Sequence, residues 1–139
     1  MTITEITPLI DKLATEHADM LPCTAHLTEL AAARSPEILV ALDRCWPVLT
    51  VALDAHIDAD DEVLFPAVAR AVGDEGVTAL FREEHREIRA LRSALDAARK
   101  QGGDIERLSA TALRLADLLN AHMTREDAML FPSARNALR

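Results

Sequence analysis

The chain has 139 residues, of which half are hydrophobic and only 3% aromatic, with two cysteines, no tyrosine and a formal net charge of −8 at pH 7. Such a length forms one domain, 1–139, able to bury a core without disulfide staples, and a composition led by Ala, Leu, Arg, Asp and Glu favours helices over strands. The acidity disfavours nucleic acid and anionic membranes as partners. No apolar run reaches the length of a membrane span and the N-terminus lacks a signal-peptide layout, so a soluble cytoplasmic protein is expected.

Helix 1 is expected from about Thr7 and Pro8 to Ala33, with Ile10, Leu13, His17, Met20/Leu21, Thr24, Leu27 and Ala31 repeating at intervals of three and four along one face. His26 is turned about half a circle away from that stripe, toward the flank or solvent. Pro22 predicts a kink. Ser35 is the expected N-cap of helix 2, with Pro36 in its first turn. Leu42, Cys45/Trp46, Leu49, Leu53, His56, Asp60 and Val63/Leu64 face inward along it; Pro47 should bend it, Phe65 and Pro66 should break or redirect it, and its last turn should fade at Gly73.

Asp74, Glu75 and Gly76 open helix 3, which should bury Val77, Phe81, His85, Ile88, Leu91/Arg92, Leu95 and Ala98. Lys100, Gln101, Gly102 and Gly103 form the clearest loop in the chain. Asp104 then caps helix 4, whose inner stripe is Leu108, Thr111/Ala112, Leu115, Leu118/Leu119, His122, Glu126 and Met129/Leu130, ended by Phe131 and Pro132. Four amphipathic helices on short connections define an all-α, up-down-up-down antiparallel four-helix bundle. A hairpin turning near Arg34 and Ser35 sets Cys23 and Cys45 at the same height, either as two buried thiols or as a redox pair.

Two stretches stand out. His56 precedes Asp60 by four residues and a Leu-Phe-Pro tail follows at 64–66; His122 precedes Glu126 by four and the same tail follows at 130–132. One helical turn separates each histidine from its carboxylate, so the two stack on one face. The repeat extends over 53–71 and 119–137, cutting helices 2 and 4 to one template. Folding the chain at its loops puts His17, His56, His85 and His122 within a slab of roughly 6 Å, the depth of a two-metal site. Carboxylates on an inner face are rarely buried unless paired or metal-bound, which marks Asp60 and Glu126 as ligands. Asp58, Asp61, Glu62 and Asp127 read as a solvated acidic face, His26 with them, and the Leu-Phe-Pro tails as plugs that only exclude water. Four imidazoles and two carboxylates exceed a tetrahedral zinc site and suit two ions of higher coordination, iron among them.

At these residues the chain resembles the hemerythrin-like (HHE cation-binding) family over nearly its whole length, on His17, the His56–Asp60 and His122–Glu126 pairs with their Leu-Phe-Pro tails, and His85. The resemblance implies a non-haem di-iron centre: two iron ions, bridging carboxylates and oxygen, and an open position for dioxygen, nitric oxide or peroxide. Asp60 stands where the family usually has Glu, so Asp61 or Glu62 could compete as ligand. Asp127 is a candidate beside Glu126, because oxygen carriers take that carboxylate at the fifth position. Oxygen carriers also have a histidine where this chain has Arg89, which implies a more open iron on the helix 3 side, with Arg89 placed to hold an anionic peroxide. The expected function is therefore binding or reduction of dioxygen-derived species, with catalase-like turnover left open. The alternatives are an iron, oxygen or nitric oxide sensor acting through a partner protein, and a passive store.

Overall fold

Helix 1 (Ile3–Ala32) begins a turn ahead of the expected start, because Thr2 and Glu5 cap it: the Glu5 carboxylate accepts the Thr2 N–H at 2.7 Å. The computed structural model describes residues 2–102 and 104–139, so Gly103 of the expected loop lies outside the described residues. Pro8 and Pro22 both sit inside helix 1 without interrupting it. Each is exposed, and so are Thr4 and Ala18 one turn back, so the carbonyls that the prolines leave unpaired can bond to water. The helix closes on Arg34 at φ 53°, with the Ser35 N–H reaching back to the Leu30 carbonyl at 3.0 Å.

Helix 2 runs over 38–72, helix 3 over Gly76–Gln101 and helix 4 over 105–137. Ser35 is not the N-cap expected of it: helix 2 starts later, on Glu37, and the Ser35 Oγ accepts the Glu37 N–H at 3.2 Å within the turn that precedes the helix. Helices 2 and 4 are not uniform rods. Helix 2 widens into a π-turn at Val48–Ala52, directly after Pro47, and into another at Asp60–Leu64. Helix 4 widens once, at Glu126–Leu130, the position equivalent to Asp60–Leu64 in the internal repeat.

These wide turns explain why Phe65 and Pro66 do not break helix 2, which fades at Gly73 as expected, and why Phe131 and Pro132 fail to end helix 4 as the sequence suggested. The Phe65 N–H bonds to the Asp60 carbonyl and the Phe131 N–H to the Glu126 carbonyl, five residues back in each case. The next carbonyl along, that of Asp61, is the one a proline at 66 would leave free, and Arg82 Nη2 donates to it at 3.4 Å. The helices therefore continue as Phe65–Val72 and Phe131–Ala137. Helix 2 ends at Gly73, whose φ of 77° is the left-handed conformation that glycine takes without cost.

Each helix packs against its chain neighbours, and helix 4 closes the bundle against helix 1. Short hairpins between successive helices make neighbours antiparallel, which is the up-down-up-down four-helix bundle. Its interior is split. One apolar cluster, with Leu27, Leu49, Leu53, Ile88, Leu95, Leu115 and Leu119, fills one length of the bundle. A second, with Ile6, Ile10, Leu13, Leu64, Phe65, Phe81, Leu130 and Phe131, fills the end where the Leu-Phe-Pro tails meet. Between the two lies a polar layer.

Four residues expected inside are exposed: Leu21, Val63, Met129 and Val77. Val63 and Met129 occupy equivalent places in the π-turns, where the extra residue of the wide turn is carried outward and Leu64 and Leu130 alone go in. Thr78 is buried in place of Val77, its hydroxyl donating to the Glu75 carbonyl. Cys23 and Cys45 are free thiols, brought together as the hairpin estimate required: Cys23 is buried and Cys45 half-buried. Among the described residues, no helix is long and apolar enough to cross a membrane.

Candidate metal centre

The polar layer holds His17, His56, Asp60, His85, His122 and Glu126, none more than 3% exposed. Each helix contributes through its apolar stripe: His17 lies one turn from Leu13, His85 one turn from Phe81, and His56 and His122 open the segments that lead into the π-turns at Asp60 and Glu126. π-turns inside α-helices recur at functional sites because they aim consecutive side chains where a regular helix cannot.

The histidines meet in pairs. His17 Nε2 stands 2.9 Å from His56 Nε2, and His85 Nε2 stands 3.1 Å from His122 Nε2. Glu126 Oε1 lies 2.7 Å from His122 Nε2, 3.6 Å from His17 Nε2 and 4.0 Å from His56 Nε2. Asp60 Oδ2 lies 3.4 Å from His85 Nε2 and 3.8 Å from His56 Nε2. Despite these approaches, none of the four carboxylate oxygens of Asp60 and Glu126 has a hydrogen-bond partner. Buried carboxylates without partners are costly, and here two share one small space.

Behind the histidines stand four more acids. His17 Nδ1 lies 2.9 Å from Asp127 Oδ1, His56 Nδ1 2.9 Å from Glu16 Oε1, His85 Nδ1 2.9 Å from Asp61 Oδ1, and His122 Nδ1 3.1 Å from Glu84 Oε1. A carboxylate on Nδ1 fixes the ring with Nδ1 protonated and Nε2 bare. Two bare nitrogens facing each other at 2.9 Å repel unless a proton or a metal ion lies between them. Two imidazoles bound side by side to one ion, with metal–nitrogen bonds of about 2.1 Å, have nitrogens about 3 Å apart, which is the spacing seen. The unpartnered oxygens and the facing nitrogens together fit metal ions. The donors fall into two groups, Asp60 with His85, His122 and Glu126, and His17 with His56 and Glu126.

The electrostatics follow from this crowding. Burial, then the charge of Glu126, raises the Asp60 pKa well above its ordinary 3.8. Burial also works against ionising Glu126, but the close approach of the His122 and His17 rings outweighs it and holds Glu126 below the usual carboxylate range. Burial, then His122, lowers His85 to about 4, and burial, then His17, lowers His56. Burial opposes charge on His17 as well, yet Glu126 and Asp127 outweigh it and raise its pKa. Each facing pair thus has one ring pushed toward the neutral, ligating form.

Several expectations need correction. Asp61 and Asp127 are more than a solvated face: Asp127 is exposed as expected and Asp61 half-buried, but each also accepts from a buried histidine of another helix. The Leu-Phe-Pro tails do more than exclude water, since the Phe65 ring stacks on His85 (5.4 Å between centroids, 14° between planes) and Phe131 stacks on His17 (5.4 Å, 18°). Arg89 is not brought to the cluster; it faces outward and pairs with Asp58 at 3.0 Å and Asp54 at 3.5 Å. Glu62 is exposed, as expected, and so is His26, which borders a surface groove with Cys45. Glu16 and Glu84 were missed altogether. Their signal was present, because each directly precedes a site histidine, Glu16 before His17 and Glu84 before His85. That spacing aims the acid about 100° away from its own histidine, toward the histidine of the next helix.

Fold and site together define a four-helix bundle with a buried histidine–carboxylate cluster of metal-binding type. Compared with known protein families, residues 8–134 match the hemerythrin HHE cation binding domain, and the chain belongs to that family. Among curated proteins no match was found, and none among solved structures.

Proposed function

We propose that the chain is a hemerythrin-like protein holding two iron ions, with His17, His56, His85 and His122 as nitrogen ligands and Asp60 and Glu126 as oxygen ligands. The observation that carries this reading is the set of four buried carboxylate oxygens without hydrogen-bond partners, set among four imidazole Nε2 atoms. Two divalent ions would give every one of these atoms a partner. Glu126 belongs to both donor groups and would be shared between the ions. Ferrous ions bound there supply two electrons and an acceptor for oxygen atoms.

The remaining chemistry belongs to the chain. The His17 and His56 side offers three donors against four on the His85 and His122 side, which supports an open position on the helix 1 side rather than on the helix 3 side that Arg89 suggested. A surface groove of about 250 Å³ reaches His17 between helices 1 and 4, walled by Ala14, Ala18, Leu21, Met123 and Asp127. Its modest volume, with walls apolar apart from Asn120, Thr124 and Asp127, suits dioxygen, nitric oxide or peroxide better than a larger substrate. Phe131 stacked on His17 keeps bulk water from the end of the bundle.

Metal analysis of protein purified without chelators and then loaded anaerobically with ferrous iron tests the reading. Two irons per chain, with a visible spectrum on oxidation, are expected; protein that stays empty would refute it. Sustained peroxide consumption would then identify an enzyme, and a reversible oxygen-dependent spectrum a carrier.

A further inference from the structure

The acids behind the histidines form a closed circuit. Glu16 on helix 1 holds His56 on helix 2; Asp61 on helix 2 holds His85 on helix 3; Glu84 on helix 3 holds His122 on helix 4; Asp127 on helix 4 holds His17 on helix 1. Each helix fixes the ligand of the next, and the last returns to the first. The circuit is not uniform. Glu84 is nearly buried and pairs with Arg125, while Asp61 pairs with Arg82 at 3.6 Å, and Arg82 also lies over the Phe65 ring. Among the described residues, Glu16 and Asp127 have only their histidines as charged partners, and Asp127 is 47% exposed beside the groove at His17.

Two independent features therefore favour the same half. The His85 and His122 half has four donors, including the buried Asp60, and its tethers are held in place from behind by arginines. The opposite half has three donors and tethers that water can reach. The arginines oppose a cation electrostatically, but they sit on the rim, 35–37% exposed, where their charge is screened. A carboxylate bound at about 2 Å acts several times more strongly than a screened cation beyond the next residue. Donor number and rigidity win.

We propose that the two halves fill in order: the His85, His122, Asp60 and Glu126 half first and tightly, the His17, His56 and Glu126 half second and reversibly, with the circuit acids setting each affinity. This rests on the reading that the cluster holds two metal ions. The test is stepwise titration of metal-free protein with cobalt(II), which does not turn over with oxygen as iron does, followed by calorimetry and visible absorption. Two saturating steps at least tenfold apart are expected. Asp127→Asn and Glu16→Gln should weaken the second step by roughly 10–100-fold and spare the first, whereas Asp61→Asn and Glu84→Gln should weaken the first by a similar factor. Circular dichroism checks that each variant folds, and Asp127→Asn, at an exposed position, keeps the test decisive if Glu84→Gln does not. A single step carrying two equivalents would overturn the proposal, as would Asp127→Asn acting on the first step. Cobalt bound in one unresponsive step with two irons still taken up would leave the metal reading standing and refute only the order.

Discussion

Asp60 has no exposed atom, and neither of its oxygens has a hydrogen-bond partner, so its charge has a cost that only a cation can offset. Because its folded pKa lies above the ordinary 3.8, the folded metal-free chain keeps a proton that the unfolded chain releases. Metal-free stability should therefore fall as pH rises above about 4 on account of this residue. Asp60→Asn removes the effect: in chelator, thermal unfolding at pH 8 should show a gain of about 1 kcal/mol that shrinks toward acid pH, while metal uptake is lost. No gain at pH 8 would mean that Asp60 is not paying that cost. His85 works in the opposite direction. Its folded pKa of about 4 lies below the ordinary 6.5, so between those values the unfolded chain binds the extra proton. Its contribution makes stability rise with pH across that window, and a metal-free His85→Gln variant compared with the parent from pH 4 to 6.5 should show a flatter profile.

The π-turns give helices 2 and 4 their capacity to aim neighbouring acids in different directions: Asp60 reaches the inner cluster and Asp61 the outer edge of His85, and Glu126 and Asp127 divide the same way. Deleting Glu62 would close the turn to α geometry while leaving Phe65 in phase with His56. Helical content and cooperative unfolding should survive, and metal affinity should drop at least tenfold, read by circular dichroism and metal titration. The same turn explains the tolerance for proline. In a regular helix interior, Pro→Ala gains about 3 kcal/mol; Pro66→Ala should gain less than about 1 kcal/mol in urea unfolding, since Arg82 already serves the carbonyl that Pro66 leaves free. A gain near the full value would show that the wide turn does not absorb the missing N–H.

Across the whole molecule, the polar layer divides the core, so the two apolar clusters stabilise the bundle alike but bear on the site differently. Ile10→Ala and Leu115→Ala remove fully buried side chains from separate clusters and should each cost about 2–5 kcal/mol in metal-free protein. Ile10 belongs to the end cluster with Phe131, the ring stacked on His17, so Ile10→Ala alone should also weaken metal binding. Metal should raise the unfolding temperature of the parent by mass action, about 2.7 kcal/mol at a hundredfold excess over the dissociation constant. A melting temperature unchanged by metal would contradict the idea that the layer is completed by ions.

The sequence by itself determined the helices, their order and the six inward histidine and carboxylate side chains, because apolar periodicity is local and one turn of helix forces His56 onto Asp60 and His122 onto Glu126. It also marked the repeat that relates helix 2 to helix 4. What it could not supply was anything that depends on which side chain of one helix meets which of another. Asp61 and Asp127 read as surface acids, and Glu16 and Glu84 carried no assignment, until the packed neighbours bring a histidine Nδ1 against each. Arg89 read as a site residue until Asp54 and Asp58 on helix 2 turned it outward. The Leu-Phe-Pro tails read as helix breaks or ends, since a proline is a local break, and only the bundle's demand for two acids on one turn converts that break into a π-turn. Periodicity sets which face is buried; the partner across the interface, fixed only when four helices close, decides what a buried residue does.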